Sequence, residues 1–286
     1  AGPVALIVMV FVMTWAVEHL RPMPYVYVGT MWLVFFLSFR EILRTGAPLG
    51  MLIIVVALLM SIMGMHGTAT VEAMRNDMVL AALVAFVLAP VVYALLPART
   101  RAVQVDDPVP SRGNINAGAA IRASVLLVLC FWLYSVMQPS DMTMALVAAM
   151  VIVFPSRQTV WDEALQRVRA TMMGAGVAMA ILAVFLLSSH LAVLLAAIFL
   201  AGLWLGNLML HGKRPAMVYQ YAFSVALSLV AGALSSQDPA YASFTRIVLT
   251  LAGAFSAAFL VALLDALTGW RAAVVTDAER GAQRIG

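Results

Sequence analysis

Apolar residues run along this chain in long uninterrupted blocks, parted by short polar breaks. Ten blocks are of spanning length or close to it, near 4–20, 24–39, 47–64, 77–97, 119–137, 142–156, 170–189, 191–210, 216–235 and 246–269. A hydrocarbon core about 30 Å thick takes roughly 20 residues of α-helix. The blocks lack the period-2 alternation of a barrel strand, and a helix satisfies its backbone without water. The pattern predicts an all-α, polytopic helical membrane protein of about ten transmembrane helices. The longest polar stretch, from Pro97 to Asn116, reads as a linker rich in Arg, Asp and Pro, and the stretch after Arg271 as a charged tail.

Composition sharpens this. Of 286 residues, 64% are apolar and 10% charged, with a mean hydropathy of +1.01. A water-facing surface takes roughly 25% charge, so a soluble enzyme, a nucleic-acid binder and a disordered chain are excluded together. The pI near 9.6 is then read as topology. Fourteen Lys and Arg fall on one set of alternating segments: Arg40, Arg44, Arg99, Arg101, Arg112, Arg122, Arg157, Arg167, Arg169, Lys213, Arg214, Arg271, Arg280 and Arg284. Three, Arg21, Arg75 and Arg246, fall on the other. By the positive-inside rule both termini are expected in the cytoplasm. The chain starts almost directly in apolar sequence without the basic region of a cleavable signal, and a short native segment is expected to precede it. Cys130 is the single cysteine and falls within a span, so no disulfide framework is expected.

The chain also resembles itself. Aligned without gaps, Thr14–Arg40 and Phe131–Arg157 pair Trp15 with Trp132, Pro22 with Pro139, Val34 with Val151 and Arg40 with Arg157. Each copy is a span ending near Trp and Pro, an outer turn, and a short span ending at Arg. Four spans precede the second copy, so both copies point the same way. The expected organisation is two parallel repeats (4 + 6): residues 1–97 with four helices and 118–271 with six, joined by a cytoplasmic linker over 98–117 and followed by a tail over 272–286. Short spans at matching positions of two repeats point to a transport site at their interface; a tilted or locally thin bilayer accounts for them equally.

In the second block, Phe131-Trp132, Pro139 and Val153-Phe154-Pro155-Ser156 lead into Arg167-Val168-Arg169-Ala170-Thr171-Met172-Met173-Gly174. This resembles the fusaric acid resistance (aromatic acid exporter) family of inner-membrane efflux proteins, in its short bacterial branch without a large cytoplasmic domain. That family shows Arg, two residues, Gly-Thr, two residues and Gly at the head of a span. Arg167, Thr171 and Gly174 match, and Ala170 stands where the first Gly would be. The resemblance covers roughly 120–270. It implies export of aromatic or other hydrophobic carboxylic acids, with a periplasmic membrane-fusion adaptor and an outer-membrane channel as partners. Plant aluminium-activated malate channels are similar in their membrane region and imply a homodimer. In the first block, Arg44 is followed by Gly46-Ala47-Pro48-Leu49-Gly50 with no threonine.

Several residues are candidates for the work. Thr159–Val168 reads as an amphipathic elbow within 157–169, with Thr159 as N-cap and Asp162 three residues on. Trp161, Leu165, Val168 and Met172 line its apolar face. Arg167, Thr171 and Gly174 share one helix face. Arg167 can receive a carboxylate in bidentate geometry, or simply snorkel. Arg40 and Arg157, related by the repeat, are either a positive vestibule for an organic anion or topology anchors. Tyr219, Gln220 and Tyr221 offer rings to stack on an aromatic acid, or mark the interface belt. Glu18, His19, Asp141 and Asp265 are the proton-exchange candidates. Gly174 and Gly176 are expected to allow close helix approach, and Trp15, Trp132, Pro22 and Pro139 to shape the repeated hairpins.

A rival reading gathers Met60, Met63, Met65 and His66 with Met137, Met142 and Met144 as soft ligands for copper transport. With 19 Met along the chain, ordinary packing explains them better. Phosphate loops, paired-Cys motifs and His-Glu-x-x-His are not found in the sequence, so no cofactor, no metal and no enzyme activity are expected. The expected function is proton-driven export of organic acids from the cytoplasm across the bacterial inner membrane. A passive organic-anion channel and a non-transporting anchor for an adaptor are the alternatives.

Overall fold

In a computed structural model of the chain, the residues described are 2–46, 48–95, 114–136, 149, 152, 157–188, 190–235 and 239–270. They form nine helices: α1 (Gly2–Leu20), α2 (Pro24–Thr45), α3 (Pro48–His66), α4 (Thr68–Leu95), α5 (Ile115–Val136), α6 (Arg157–Leu187), α7 (Leu191–His211), α8 (Ala216–Ser235) and α9 (Pro239–Thr268). There is no strand among the described residues. All nine are long and apolar enough to cross a bilayer, so the chain is a polytopic helical membrane protein. The span expected near 142–156 lies almost wholly outside the described residues, as does the linker.

The breaks between helices have local causes. Pro24 opens α2, where a missing N–H costs nothing. Gly46 closes it in the left-handed region (φ 69°), donating its N–H to the Ile42 carbonyl at 2.8 Å. A single residue, Gly67, with φ 155°, separates α3 from α4. The Thr70 hydroxyl bonds back across that corner to the carbonyls of Met63 and Gly67, at 2.8 and 2.7 Å. Residues 157–169 do not stand apart as a separate elbow: α6 runs through them unbroken for 31 residues.

The chain divides into two compact units, residues 1–160 with 256–286 and residues 161–255. This division by packing differs from the expected division by repeat, because α5 packs on α2. In the first unit α3 is central, packed on α1, α2 and α4, with Ile54, Val56, Ala57, Leu58 and Met60 fully enclosed. The stripe Met31, Phe35, Phe39 and Ile42 buries one face of α2 at helical spacing. Tyr27 and Trp32 place their polar atoms on partners inside this unit, as a bilayer favours. Tyr27 donates its hydroxyl to the Ser61 carbonyl at 2.8 Å, and the Trp32 indole N–H donates to Ser124 Oγ at 3.0 Å. The outward face of α4, from Leu80 to Leu95, is almost wholly exposed and apolar, as a lipid-facing surface is.

In the second unit, small residues bring helices close. Ala175, Ala178 and Ile181 of α6 pack with Leu194 of α7 and with Ala226, Leu229 and Val230 of α8. A second cluster joins Ala170 to Val218 and Ala222. A Cβ on Gly174 would stand 2.5 Å from the Ala222 carbonyl oxygen and 2.9 Å from Val225 Cβ, so α6 and α8 approach to backbone contact there. Gly176 does not act in the same way. A side chain added to it would meet nothing within 4 Å among the described residues. The reason is geometric: two positions along a helix turn through about 200°, onto the opposite face.

Candidate functional site

The Arg167 side chain is 6% exposed and that of Thr171, one turn on, 3%. Both lie on the face of α6 that also carries Ala170 and Gly174. Because Gly174 lets α8 come to backbone contact, the side chains a turn or two before it meet the start of α8. There the guanidinium carbon of Arg167 lies 3.1 Å from the centre of the Tyr221 ring. A cation on the face of an aromatic ring is attracted by the ring quadrupole, and more strongly when both are desolvated. The arrangement brings together a fork of N–H donors suited to a carboxylate, a hydroxyl, and an aromatic face.

The neighbouring tyrosine points elsewhere. Tyr219 is buried with its hydroxyl end against Gly212, in the turn between α7 and α8. Gln220 is exposed. Of this cluster, Tyr221 is the residue that meets Arg167, and sequence reasoning had no means of choosing it. The spacing of Gly174 to Arg167 sets the height of the contact, yet the register of α8 against α6 is not written in either helix alone.

Other candidates sit apart. Arg40 is exposed near the end of α2. Arg157 begins α6, but its side chain is outside the described residues, as are Pro139, Asp141, Met137, Met142 and Met144. Glu18 is half-buried. His19 is exposed, stacked on Trp15 at 4.8 Å between ring centres, with Nδ1 2.9 Å from the Trp15 carbonyl. Trp15, Trp132 and Pro22 are exposed. Met60 is fully buried in the core of the first unit. Among the described residues no group of three or more His, Cys, Asp or Glu is placed to hold a metal ion.

Asp265 has a partner that the sequence pattern did not assign to it. Its side chain is 2% exposed, and its Oδ2 lies 3.8 Å from the Arg122 guanidinium, itself 0% exposed. Arg122 had served only as one of fourteen positive-inside residues. Two opposite charges set inside otherwise apolar spans were the available signal, since such groups pair when buried in a bilayer.

Nine apolar spans among the described residues define a multi-pass membrane protein, and one of them carries a buried arginine facing an aromatic ring. Residues 129–261 match the family model described as fusaric acid resistance protein-like. The matched stretch contains Arg167, Thr171, Gly174 and Tyr221, and it bears out the resemblance read from the first three. No curated protein and no solved structure matches this chain. The matched family is one of membrane transport and efflux rather than of enzymes.

Proposed function

We propose that this chain is the inner-membrane export component for aromatic or other hydrophobic carboxylic acids. The observation that carries the reading is the Arg167–Tyr221 contact, which lies inside the family-matched segment beside Thr171. An aromatic acid has a carboxylate and an apolar ring, and these three side chains supply a complement to each. Export is driven by the proton gradient, through a pair of repeats with both termini in the cytoplasm. The chain works as a homodimer and hands its substrate to a periplasmic adaptor and an outer-membrane channel.

Cells expressing the chain are expected to accumulate less labelled benzoate than cells without it. Arg167→Ala at equal membrane level is expected to abolish the difference. Equal accumulation with and without the wild-type chain would contradict the reading.

A further inference from the structure

The exposed side of α7 changes character over its last two turns. Leu203, Gly206, Asn207 and Leu210 share one helix face by their spacing, and all four are exposed. Leu203 and Leu210 suit a lipid-facing surface. Gly206 leaves a notch between them, where an added Cβ would meet nothing within 4 Å among the described residues. Asn207 does not suit that surface, because an amide turned to hydrocarbon without partners is costly. Its oxygen has one partner: His211 Nδ1 lies 3.2 Å from Asn207 Oδ1 and 3.3 Å from the Asn207 carbonyl. Both of those contacts are oxygens, so Nδ1 carries the hydrogen and donates. The two N–H donors of the Asn207 amide have no partner among the described residues.

Just beyond stand Lys213 and Arg214, both exposed and, among the described residues, without a hydrogen bond or ion pair. From His190 to Ser235 the chain has no Asp or Glu, so the α7–α8 hairpin carries these cations with no counter-charge of its own. The turn that presents them is fixed. The Gly212 N–H donates to the Leu208 carbonyl at 2.6 Å, and the hydroxyl end of Tyr219 fills the space that a Cβ on Gly212 would need. Asn207 lies four residues before the helix end at His211, about 6 Å deeper along the axis. Anchoring of topology accounts for the two cations alone. It gives no reason for an outward amide one turn deeper, beside a glycine notch.

We propose that this corner of α7 binds an anionic phospholipid of the surrounding bilayer. Lys213 and Arg214 receive its phosphate, the Asn207 amide donates to a glycerol-ester carbonyl one turn deeper, and an acyl chain lies along Leu203, Gly206 and Leu210. The protein groups follow the order of a lipid read from water to hydrocarbon: charge, ester, chain. Charge complementarity selects the class, since each Lys or Arg near the membrane surface adds attraction to an anionic headgroup. The lipid supplies both things the hairpin lacks, an acceptor for the amide and a counter-charge for the turn. A second copy of the chain fits less well. Related by a two-fold axis along the membrane normal, it would set the same cations against each other. The site is separate from Arg167 and does not depend on the organic-acid reading.

Native mass spectrometry of the full chain tests this, because it counts bound lipids and subunits together. The chain is released from micelles holding phosphatidylglycerol and phosphatidylcholine with the same acyl chains. Wild type is expected to retain phosphatidylglycerol about tenfold over phosphatidylcholine. Lys213→Gln with Arg214→Gln is expected to abolish that preference, and Lys213→Arg with Arg214→Lys to keep it. Arg40→Gln with Arg44→Gln removes two exposed cations near another helix end and is expected to keep it as well. Asn207→Leu is expected to lower phosphatidylglycerol retention about threefold or more, although it makes the helix more apolar. Glycerol phosphate, which has a phosphate but no chains, is expected not to compete at equal concentration. All these variants change exposed residues, and unchanged thermal unfolding checks that each is folded. Equal retention of the two lipids by wild type, an equal loss in the Arg40/Arg44 variant, or full competition by glycerol phosphate overturns the proposal. A dimer that Asn207→Leu splits while lipid retention is unchanged overturns it too, and gives this face to a second copy.

Discussion

Arg122 on α5 and Asp265 on α9 are 143 positions apart in sequence and 3.8 Å apart in space. The pair ties α5 to α9, the last helix among the described residues. Removing one partner leaves the other enclosed without the opposite charge it faces, while removing both takes away the two charges together. Arg122→Met or Asp265→Leu alone is expected to destabilise the protein by about 3–5 kcal/mol. The double variant is expected to be more stable than either single one. Thermal unfolding in detergent measures this, and a double variant less stable than both singles would count against a mutual pairing.

The approach of α6 to α8 rests on the missing side chain at Gly174. Gly174→Ala sets a Cβ against the Ala222 carbonyl and Val225, and is expected to cost about 1–3 kcal/mol. Gly176→Ala, with open space around it, is expected to be neutral or slightly stabilising, since alanine is the better helix former. Melting temperatures of the two variants should therefore separate. Equal effects would mean that the α6–α8 contact is not formed as described.

Tyr221 offers its ring to the site, not its hydroxyl. Tyr221→Phe is expected to leave benzoate transport close to wild type. Tyr221→Ala is expected to raise KM for benzoate about tenfold, and to raise it much less for butyrate, which has no ring to stack. Competition by the two acids for export of a labelled substrate reads this out. An equal loss for both would assign Tyr221 to helix packing alone.

Coupling to protons separates a transporter from an organic-anion pore. In sealed vesicles containing the purified chain, an imposed pH difference is expected to change the rate of benzoate movement at a fixed benzoate gradient. A rate indifferent to the pH difference would favour the passive pore.

Much of the fold was legible because a bilayer imposes simple rules. Block length announced the helices, while the breaks at Pro24, Gly46 and Gly67 come from the structure. Arg167, Thr171 and Gly174 fell on one face by spacing alone, so the α6 half of the site was readable. Its other half was not. Tyr219 and Tyr221 are two positions apart, both aromatic and both near a polar turn, and only the packing of α8 decides which ring meets the arginine. The Arg122–Asp265 pair was hidden for a related reason. A positive charge near a span end satisfies the topology rule so well that its burial goes unnoticed. The elbow at 157–169 reads as a separate amphipathic piece because its polarity changes at the membrane edge, yet a helix continues across such a change with no break in its hydrogen bonds.

The central claim is that this chain moves organic carboxylates through the site formed by Arg167. Its most direct measurement is efflux of labelled benzoate from vesicles containing the purified chain alone, at mildly alkaline pH where the neutral acid is scarce. The account predicts saturable efflux well above that of protein-free vesicles, reduced at least about tenfold by Arg167→Ala, the scale of losing a charged hydrogen bond. Efflux no faster than from protein-free vesicles, or equal in Arg167→Ala, would contradict it.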